Sequence, residues 1–363
     1  MNRKTKTTLI IPAAGKSSRF PSVKPKWMLT HPSGKMMLHE SIQNFDMTNV
    51  KEVVIGLLSE HVEKYDMEAG LNRKVKPEIE TRSGVPVRFV FLKEQTKNQP
   101  ETVCEIIKSL SIEGPIFIKD VDNQFRHTPL PGNYVTVADI NKIDNVSKPA
   151  SKSYVSYDES GILNNIVEKK IISQYYCTGG YSFLSASNFL NSFLKIRSDN
   201  LYVSHLIYDQ MLNDKISFRM SEVENVKDWG TIDEWNKYKK RYSTLFLDID
   251  GVIFENTGAY NRLSWGKMPV IKKNAKYLRR IHNEGYSTII LTTSRPEEYR
   301  SVTEKSLKEN NIPYDQIVFG LPHAQRIVVN DYAPTNPYPS CNAINIERDS
   351  CSLEDMLKNL VGV

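Results

Sequence analysis

The chain has 363 residues, with 48 lysines and arginines against 42 aspartates and glutamates, a formal net charge of +6. This length allows two domains, and the modest, dispersed positive charge argues against a nucleic-acid-binding surface. No apolar run is long enough to span a bilayer, no secretory leader precedes Thr7, and the four cysteines lack C-x-x-C spacing. We therefore expect a cytoplasmic protein without membrane insertion.

The first informative element is a buried strand followed by a loop of small residues, in TLIIPAAGKSSRF at 8–20. Small side chains let backbone N–H groups approach phosphates closely, and the Arg19 guanidinium adds a bidentate contact to an anion. The Walker A pattern is absent, because no Gly-Lys-Ser/Thr follows at the required spacing. The loop predicts a phosphate-binding site formed by Ala13, Ala14, Gly15, Lys16, Ser17 and Ser18.

The segment KPKWML at 24–29 follows this loop. Together they resemble the signature of the nucleotidyltransferases that make nucleotide sugars. The resemblance implies that the loop wraps a nucleoside triphosphate and that Lys26 and Arg19 neutralise its phosphates during attack. It also implies an α/β fold for residues 1–240, a mixed-sheet, Rossmann-like nucleotidyltransferase domain.

Three later segments resemble the parts of this family that contact its substrates, and they come in the same order: EQTKNQPETV at 94–103, IVEKK at 166–170 and TGGYSF at 178–183. The resemblance implies that the first lies near the nucleobase, through Gln99 and its neighbour Thr102. The other two would contact the acceptor through Glu168, Lys169 and Gly180, with Lys169 on the acceptor phosphate.

Two aspartate-containing segments resemble the metal-binding parts of the family. PIFIKDVDNQF at 115–125 is an apolar strand that ends in Asp120 and Asp122. The family carries a Mg2+-binding aspartate at this strand end, often before an asparagine, which favours Asp122. KDWGTIDEW at 227–235 resembles the Asp-x-Gly-Thr segment that supplies a second metal ligand, here Asp228.

Such a pair of carboxylates would hold Mg2+ against the α-phosphate of the nucleoside triphosphate. A phosphate oxygen of the acceptor attacks that phosphorus in line and pyrophosphate leaves, so no protein nucleophile is required. The family acts on small phosphorylated acceptors, which implies a sugar or polyol phosphate here. CTP is the favoured nucleotide, by analogy with compact transferases that make CDP-linked products.

A second apolar strand begins the last third of the chain, in LFLDIDGVIFENTG at 245–258. A buried parallel strand that ends in Asp248, with Gly251 allowing a sharp turn, places Asp248 and Asp250 in the crevice where open α/β sheets bind ligands. Two carboxylates there can hold Mg2+ while one attacks phosphorus and the other moves a proton. The stretch resembles motif I of the haloacid dehalogenase (HAD) superfamily of phosphatases.

Two downstream segments resemble later HAD motifs. YSTIILTTSRP at 286–296 is a strand ending in hydroxyl residues, and the family's phosphoryl-binding residue commonly lies two before an arginine, which favours Thr293 over Thr292. IVVND at 327–331 is predicted to form a third strand that ends in Asp331. The resemblance implies that Asp331 completes a Mg2+ site with the two aspartates of motif I.

The chain departs from the HAD pattern before that last strand. Many small phosphatases of this type have Gly-Lys-Pro there, whereas this chain has Leu321 at the lysine position. Arg326 is the nearest cation in line and could take over the charge role, although its planar fork differs from an ammonium. The intervals between motifs cannot hold a cap, since even marginal domains need roughly 40–60 residues. We therefore expect an open site and a substrate that is large or is carried on another macromolecule.

The whole chain thus resembles a bifunctional enzyme, a nucleotidyltransferase at 1–240 fused to a cap-less, parallel-sheet HAD phosphatase at 241–363, of the kind found in bacterial capsule or surface-polysaccharide synthesis. Both domains would use Mg2+, and a homo-oligomer is possible. In one alternative the HAD domain is a non-catalytic scaffold or oligomerisation module, for which Leu321 is the argument. In another the chain processes nucleic-acid ends, which the dispersed charge does not support.

Overall fold

The computed structural model describes residues 5–17, 19–20, 23–142, 149–196, 198–256, 264–331 and 341–361. The chain divides into two compact units, Met1–Glu234 and Trp235–Val363. No helix in the described ranges is long and apolar enough to cross a membrane.

The strands are β1 Thr7–Pro12, β2 Val50–Leu58, β3 Val87–Leu92, β4 Ile116–Lys119, β5 Asn123–Arg126, β6 Tyr134–Asp139, β7 Ser153–Tyr157, β8 Leu163–Glu168, β9 Tyr175–Phe183, β10 Arg219–Glu222, β11 Glu224–Asp228, β12 Ser243–Asp248, β13 Ser287–Thr292 and β14 Gln316–Val318. The helices are α1 Met37–Ser41, α2 Ser59–Lys64, α3 Glu68–Gly70, α4 Lys76–Ser83, α5 Gln99–Leu110, α6 Ala186–Lys195, α7 Val203–Leu212, α8 Ile232–Lys240, α9 Lys272–Asn283, α10 Arg300–Glu309 and α11 Leu353–Val361.

The first unit is built on a mixed sheet with the strand order β10-β6-β9-β4-β1-β2-β3, to which β7 and β8 are attached beside β9. Strand β1 is parallel to both β2 and β4, whereas β9 is antiparallel to β4 and β6. The carboxyl ends of β1 and β4 therefore meet at one edge of the sheet. The predicted mixed α/β sheet is confirmed for this part of the chain.

Side-chain alternation along β1 explains why this sheet is buried on both faces. Ile10 packs into one hydrophobic cluster, with Val54 and Val103, while Leu9 and Ile11 pack into another. Successive side chains of a strand point to opposite faces, so a continuous apolar run requires cover on both. The loop that follows β1 consequently starts from a rigid, fully buried strand.

Strand β9 carries a bulge next to the carboxyl end of β4. Residues 178–180 lie opposite the single residue Thr136 of β6. Gly179 has a φ of +81°, and a Cβ there would lie 2.6 Å from Asp120 Oδ2 and 2.5 Å from Asn123 Nδ2. Glycine therefore lets β9 pass against the turn between β4 and β5.

The second unit contains a three-stranded parallel sheet in the order β12-β13-β14. Its core includes Leu247, Ile289 and Leu307, and α9 adds Leu278 and Ile281 to the same cluster. The parallel pairing brings the carboxyl ends of β12 and β13 together, with Asp248 opposite Thr292. HAD membership of this unit remains a sequence-based prediction.

The predicted strand at 327–331 is wrong. These residues form no strand, and Ile327, Val328 and Val329 are exposed by 75%, 57% and 90%. A strand is stabilised by pairing with a neighbour and by packing one face, and a short apolar run contributes to neither unless a partner edge receives it. Within the described residues, β12 pairs with β13 alone.

The bulge predicts a large difference between two glycine substitutions. Gly179→Ala and Gly84→Ala both place a side chain at positive φ, which costs about 1–3 kcal/mol. Gly84 has a φ of +68°, and a Cβ there would have nothing within 4 Å, whereas Gly179 faces Asp120 and Asn123. We expect Gly179→Ala to lower the thermal unfolding temperature of the first unit clearly more than Gly84→Ala. Equal losses would show that close approach is not what requires glycine at 179.

Candidate active site

The loop after β1 is anchored at its start and curls back on itself. Ala13 and Ala14 are buried, and the Ala13 N–H donates to the Gly56 carbonyl of β2 over 2.8 Å. Ser17 has a φ of +53°, and its hydroxyl accepts the Lys26 N–H at 3.1 Å. The hydroxyl of Ser17 therefore ties the loop to the segment that carries Lys26.

Two other predicted residues of this loop, Gly15 and Lys16, are exposed. A Cβ at Gly15 would have nothing within 4 Å, so its backbone is open to a ligand. Ser18 lies outside the described residues, and its predicted contact with nucleotide stays a prediction.

Two cations converge on Asp122 at the end of the turn after β4. Lys26 Nζ lies 2.7 Å and Arg19 Nη2 lies 3.1 Å from the same oxygen, Asp122 Oδ2. Burial by itself would raise the pKa of Asp122, but the charges of Lys26 and Arg19 outweigh it and hold that pKa well below its usual range. Asp122 is therefore ionised, and both cations are held at one edge of the sheet.

The second predicted metal ligand lies beside the first. Strands β11 and β5 are antiparallel, which sets Asp228 opposite Asn123, and the Trp229 N–H donates to the Asp122 carbonyl at 2.8 Å. The Asp228 carboxylate contacts Lys152 Nζ and accepts the Gly230 N–H at 3.0 Å. Burial raises the pKa of Asp228, against the opposing charge of Lys152.

Lys119, the last residue of β4, was not among the predicted site residues. Its side chain is fully buried, and the ammonium donates to the carbonyls of Asp120 and Asn123 over 2.5 and 2.9 Å and to the Asn123 side chain. Burial lowers the pKa of Lys119 to about 7. This lysine braces the turn that presents Asp122. Its sequence signal was a charged residue at the end of an otherwise apolar strand.

The residues predicted to lie near the nucleobase are engaged within the protein. Gln99 donates its amide to Asp120 Oδ1 at 2.5 Å, and burial together with the charge of Asp122 raises the pKa of Asp120 to about 6. Thr102 is buried, and its hydroxyl pairs with Thr96 at 2.6 Å. The structure thus gives Thr102 an internal partner rather than an open face, because the first turn of α5 packs against the core.

The predicted acceptor residues lie on β8, β9 and the turn after β8. Glu168 accepts the Ser153 hydroxyl at 2.6 Å and also the Ser204 hydroxyl. Lys169 has a φ of +56°, and its ammonium donates to the Tyr202 hydroxyl at 2.8 Å. That hydrogen bond raises the pKa of Lys169. The remaining predicted residue, Gly180, pairs with Lys119 across β4 and β9.

The donor set at Asp122 and Asp228 fits a hard divalent cation. Carboxylate oxygens are ligands that Mg2+ prefers, and Mg2+ commonly takes one or two from the protein and the rest from phosphates and water. Within the described part of the chain, no group of three or more histidine, cysteine, aspartate or glutamate residues could hold a metal. The two carboxylates would therefore need oxygen ligands from a substrate.

The corresponding region of the second unit is dominated by an ion pair. Arg295 is almost fully buried, and its guanidinium donates to both oxygens of Asp250 over 2.6 and 2.9 Å. Its main-chain N–H donates to Thr293 Oγ1 at 3.1 Å, and that hydroxyl lies 3.5 Å from Asp250 Oδ2. Asp248 is the last residue of β12 and is exposed. Arg295 thus positions Asp250 and Thr293 together.

Two further predicted residues of this unit, Arg326 and Asp331, are exposed. Arg326 donates to the main-chain carbonyls of Pro322 and Ala324, at 2.8 and 3.0 Å. Burial raises the pKa of Asp248, and the charge of Arg326 opposes that rise. Asp331 lies at the end of the segment that forms no strand. The predicted triad of Asp248, Asp250 and Asp331 is therefore not gathered in the described residues, because no strand carries Asp331 to the end of β12.

Comparison with solved structures shows the fold of the first unit. A nucleoside-diphosphate-sugar pyrophosphorylase from Vibrio cholerae RC9 is 18% identical, with a TM-score of 0.52 over 64% of this chain and 99% of its own. A Bacillus anthracis protein assigned as a glucose-1-phosphate thymidylyltransferase is 16% identical, with a TM-score of 0.51 over 64% of this chain and 94% of its own. No protein-family profile and no curated protein sequence matches the chain. The N-terminal part therefore has a nucleotidyltransferase fold.

The position of Lys119 generates a stability prediction. Lys119→Met keeps most of the buried volume but leaves the carbonyls of Asp120 and Asn123 without their charged donor. We expect a loss of about 3 kcal/mol or more in the free energy of unfolding of the first unit, since buried groups left unpaired cost about 1–3 kcal/mol each. Chemical denaturation measures it. The control Lys108→Met, on the exposed side of α5, should stay within about 0.5 kcal/mol. Similar values for both would contradict a bracing role for Lys119.

Proposed function

We propose that the first unit transfers a nucleotidyl group from a nucleoside triphosphate to a small phosphorylated acceptor, with release of pyrophosphate. The observation that carries this proposal is the position of Asp228, which pairs across β11 and β5 with the residue next to Asp122, together with the convergence of Lys26 and Arg19 on Asp122. Two carboxylates and two cations in one crevice suit a cation-bound triphosphate better than any neutral ligand. The nucleotidyltransferase fold supports the same conclusion.

The side chains of this site would have two roles, neutralisation of phosphate charge and orientation of the substrates. Mg2+ bound at Asp122 and Asp228 would supply the positive charge required at the α-phosphate. Lys26 and Arg19 have long side chains. Their charged groups can move from the Asp122 oxygen to phosphate oxygens while their main chains stay in place beside the loop after β1. The acceptor oxygen attacks phosphorus in line, so the protein contributes orientation and charge neutralisation rather than a covalent intermediate.

For the substrates we propose a sugar or polyol phosphate and, as nucleotide, CTP. Lys169 supports the acceptor class, because its ammonium lies at the surface near Tyr202, where a phosphate can reach it. The names of the two similar structures, a nucleoside-diphosphate-sugar pyrophosphorylase and a glucose-1-phosphate thymidylyltransferase, support a sugar phosphate. The choice of CTP as nucleotide rests on the sequence resemblance. The proposal that the enzyme acts in surface-polysaccharide precursor synthesis rests on the same resemblance.

Removal of either carboxylate tests the transferase. Asp122→Ala and Asp228→Ala should each reduce pyrophosphate release by about 100-fold or more, because each removes a ligand of the cation that carries developing charge. The control is Glu105→Ala, which removes a carboxylate paired with Lys108 on the outside of α5. Pyrophosphate is measured with each nucleoside triphosphate, Mg2+ and a panel of sugar and polyol phosphates. Full rates in both aspartate variants would refute the assignment.

For the second unit we propose a HAD-type phosphatase that removes a phosphate from the pathway substrate or product. Its support is the arrangement at the ends of β12 and β13, where Asp248 is exposed and Thr293 lies beside Asp250. An exposed aspartate at a strand end can attack phosphorus, and a neighbouring hydroxyl can bind the phosphoryl oxygens. Arg295 then acts by holding Asp250 in place.

One observation favours the alternative in which this unit is a non-catalytic scaffold. Both oxygens of Asp250 accept hydrogen bonds from the Arg295 guanidinium, so proton transfer by this carboxylate would have to use the remaining lone pairs. Asp331, the predicted third metal ligand, is exposed on a segment that forms no strand, which points the same way. An active phosphatase would have to bring an additional acid to Asp248 and Asp250.

Asp248→Asn separates the two proposals for the second unit. If the unit is a phosphatase, inorganic phosphate release from sugar phosphates should fall to background, because an amide cannot form the aspartyl-phosphate, and pyrophosphate release should be unchanged. Arg326→Ala should then lower hydrolysis by about 100- to 1000-fold if its guanidinium stabilises the reacting phosphoryl group. Absence of phosphate release from the wild type with every ester tested would favour the scaffold.

A further inference from the structure

Lys152 lies between the two predicted metal-binding aspartates and the predicted acceptor-binding residues of β8. It immediately precedes β7, and its ammonium contacts the Asp228 carboxylate, with side chains that are only 15% and 18% exposed. Its charge also contributes to lowering the pKa of Asp122. Nothing in the sequence singled it out, because it stands in the polar tract SKPASKS. It is nevertheless the cation directly on the second carboxylate.

The same lysine is tied to the acceptor side through the main chain. Strands β7 and β8 are antiparallel with Ser153 opposite Glu168, and the Lys169 N–H donates to the Lys152 carbonyl at 3.0 Å. Lys152 and Lys169 are therefore neighbours at one end of this hairpin. The ammonium of Lys169 points to Tyr202, while that of Lys152 points to Asp228.

The charge balance at Asp228 changes when a divalent cation binds. A cation that takes Asp228 as a ligand competes with the Lys152 ammonium, and a poorly exposed ammonium that loses its counter-ion must find another anion. The neighbouring carboxylates are already engaged. Asp122 is held by Lys26 and Arg19, and Glu168 accepts two serine hydroxyls. Glu234, whose charge also acts on Asp228, accepts the Thr231 hydroxyl at 3.0 Å. The phosphate of the acceptor is the anion that the proposed reaction brings to this hairpin.

We infer that Lys152 exchanges partners, from Asp228 in the free protein to the acceptor phosphate when a divalent cation occupies the carboxylates. This exchange rests on the proposed function of the first unit. Lys152 then has two opposite effects: it weakens cation binding to the free protein and strengthens acceptor binding to the loaded one. A salt bridge of purely structural importance would not produce the second effect.

The first arm of the test needs no substrate and no turnover. Mn2+ binding to the free full-length protein is measured by electron paramagnetic resonance for wild type, Lys152→Gln, Lys152→Arg and the control Lys51→Gln on β2. Lys152→Gln should bind Mn2+ about 5- to 10-fold more tightly, because the competing ammonium is gone, and Lys152→Arg should resemble wild type. Unchanged or weaker binding in Lys152→Gln would overturn the exchange.

The second arm measures pyrophosphate release at saturating cation. In Lys152→Gln the KM for the acceptor should rise by about 10- to 100-fold, as expected for a lost charge-assisted phosphate contact, while the KM for the nucleotide stays within about 2-fold. Lys152→Arg should recover most of the acceptor affinity. A rise in the nucleotide KM alone, or no change in either KM, would overturn the assignment to the acceptor phosphate.

The two arms also separate this inference from the function on which it rests. A wild-type protein that releases no pyrophosphate with any nucleotide and acceptor refutes nucleotidyl transfer, and the inference falls with it, whatever the Mn2+ result. Active wild type with unaltered Lys152→Gln behaviour in either arm refutes the inference alone. Thermal unfolding of each variant, expected near that of wild type, ensures that a change in KM reflects binding and not loss of fold.

Discussion

Two neighbouring, poorly exposed carboxylates, one in the turn after β4 and one at the end of β11, are the constraint around which the first unit is organised. Asp122 and Asp228 repel each other, and removing either from water is costly, so the fold must supply positive charge at the same place. Lys26, Arg19 and Lys152 supply it directly. The crevice at the end of β4 is consequently a cluster of alternating charges.

The scaffold holds this cluster with backbone features more than with surface side chains. Lys119 is buried beneath the turn and fastens the carbonyls on both sides of Asp122. The bulge of β9 lets Gly179 approach the same turn, and the antiparallel pairing of β5 with β11 sets the register of Asp228. The loop after β1 is anchored through Ser17 to Lys26. All of these contacts are made within the protein, so they hold the turn and the loop in place without a ligand.

The sequence could predict those features of the fold and the site that are encoded by neighbouring residues. The strand ending at Lys119, the small-residue loop and the mixed sheet were accessible because apolar runs, glycine and charged strand ends are local patterns. Lys152 was not accessible, since a lysine in a polar tract looks like any solvated lysine until the β7–β8 hairpin places it on Asp228. The strand predicted at 327–331 failed for the opposite reason. Three apolar residues look like a strand, but pairing depends on an edge that the local sequence does not specify.

The most direct measurement is a crystal of the full chain soaked with CTP and Mn2+, with the manganese located by its anomalous scattering. We expect a manganese ion bonded to one carboxylate oxygen each from Asp122 and Asp228 and to the α-phosphate, at about 2.0–2.6 Å. Lys152 should then no longer contact Asp228. Manganese bound elsewhere, or nucleotide bound away from Lys26 and both aspartates, would contradict nucleotidyl transfer at this site.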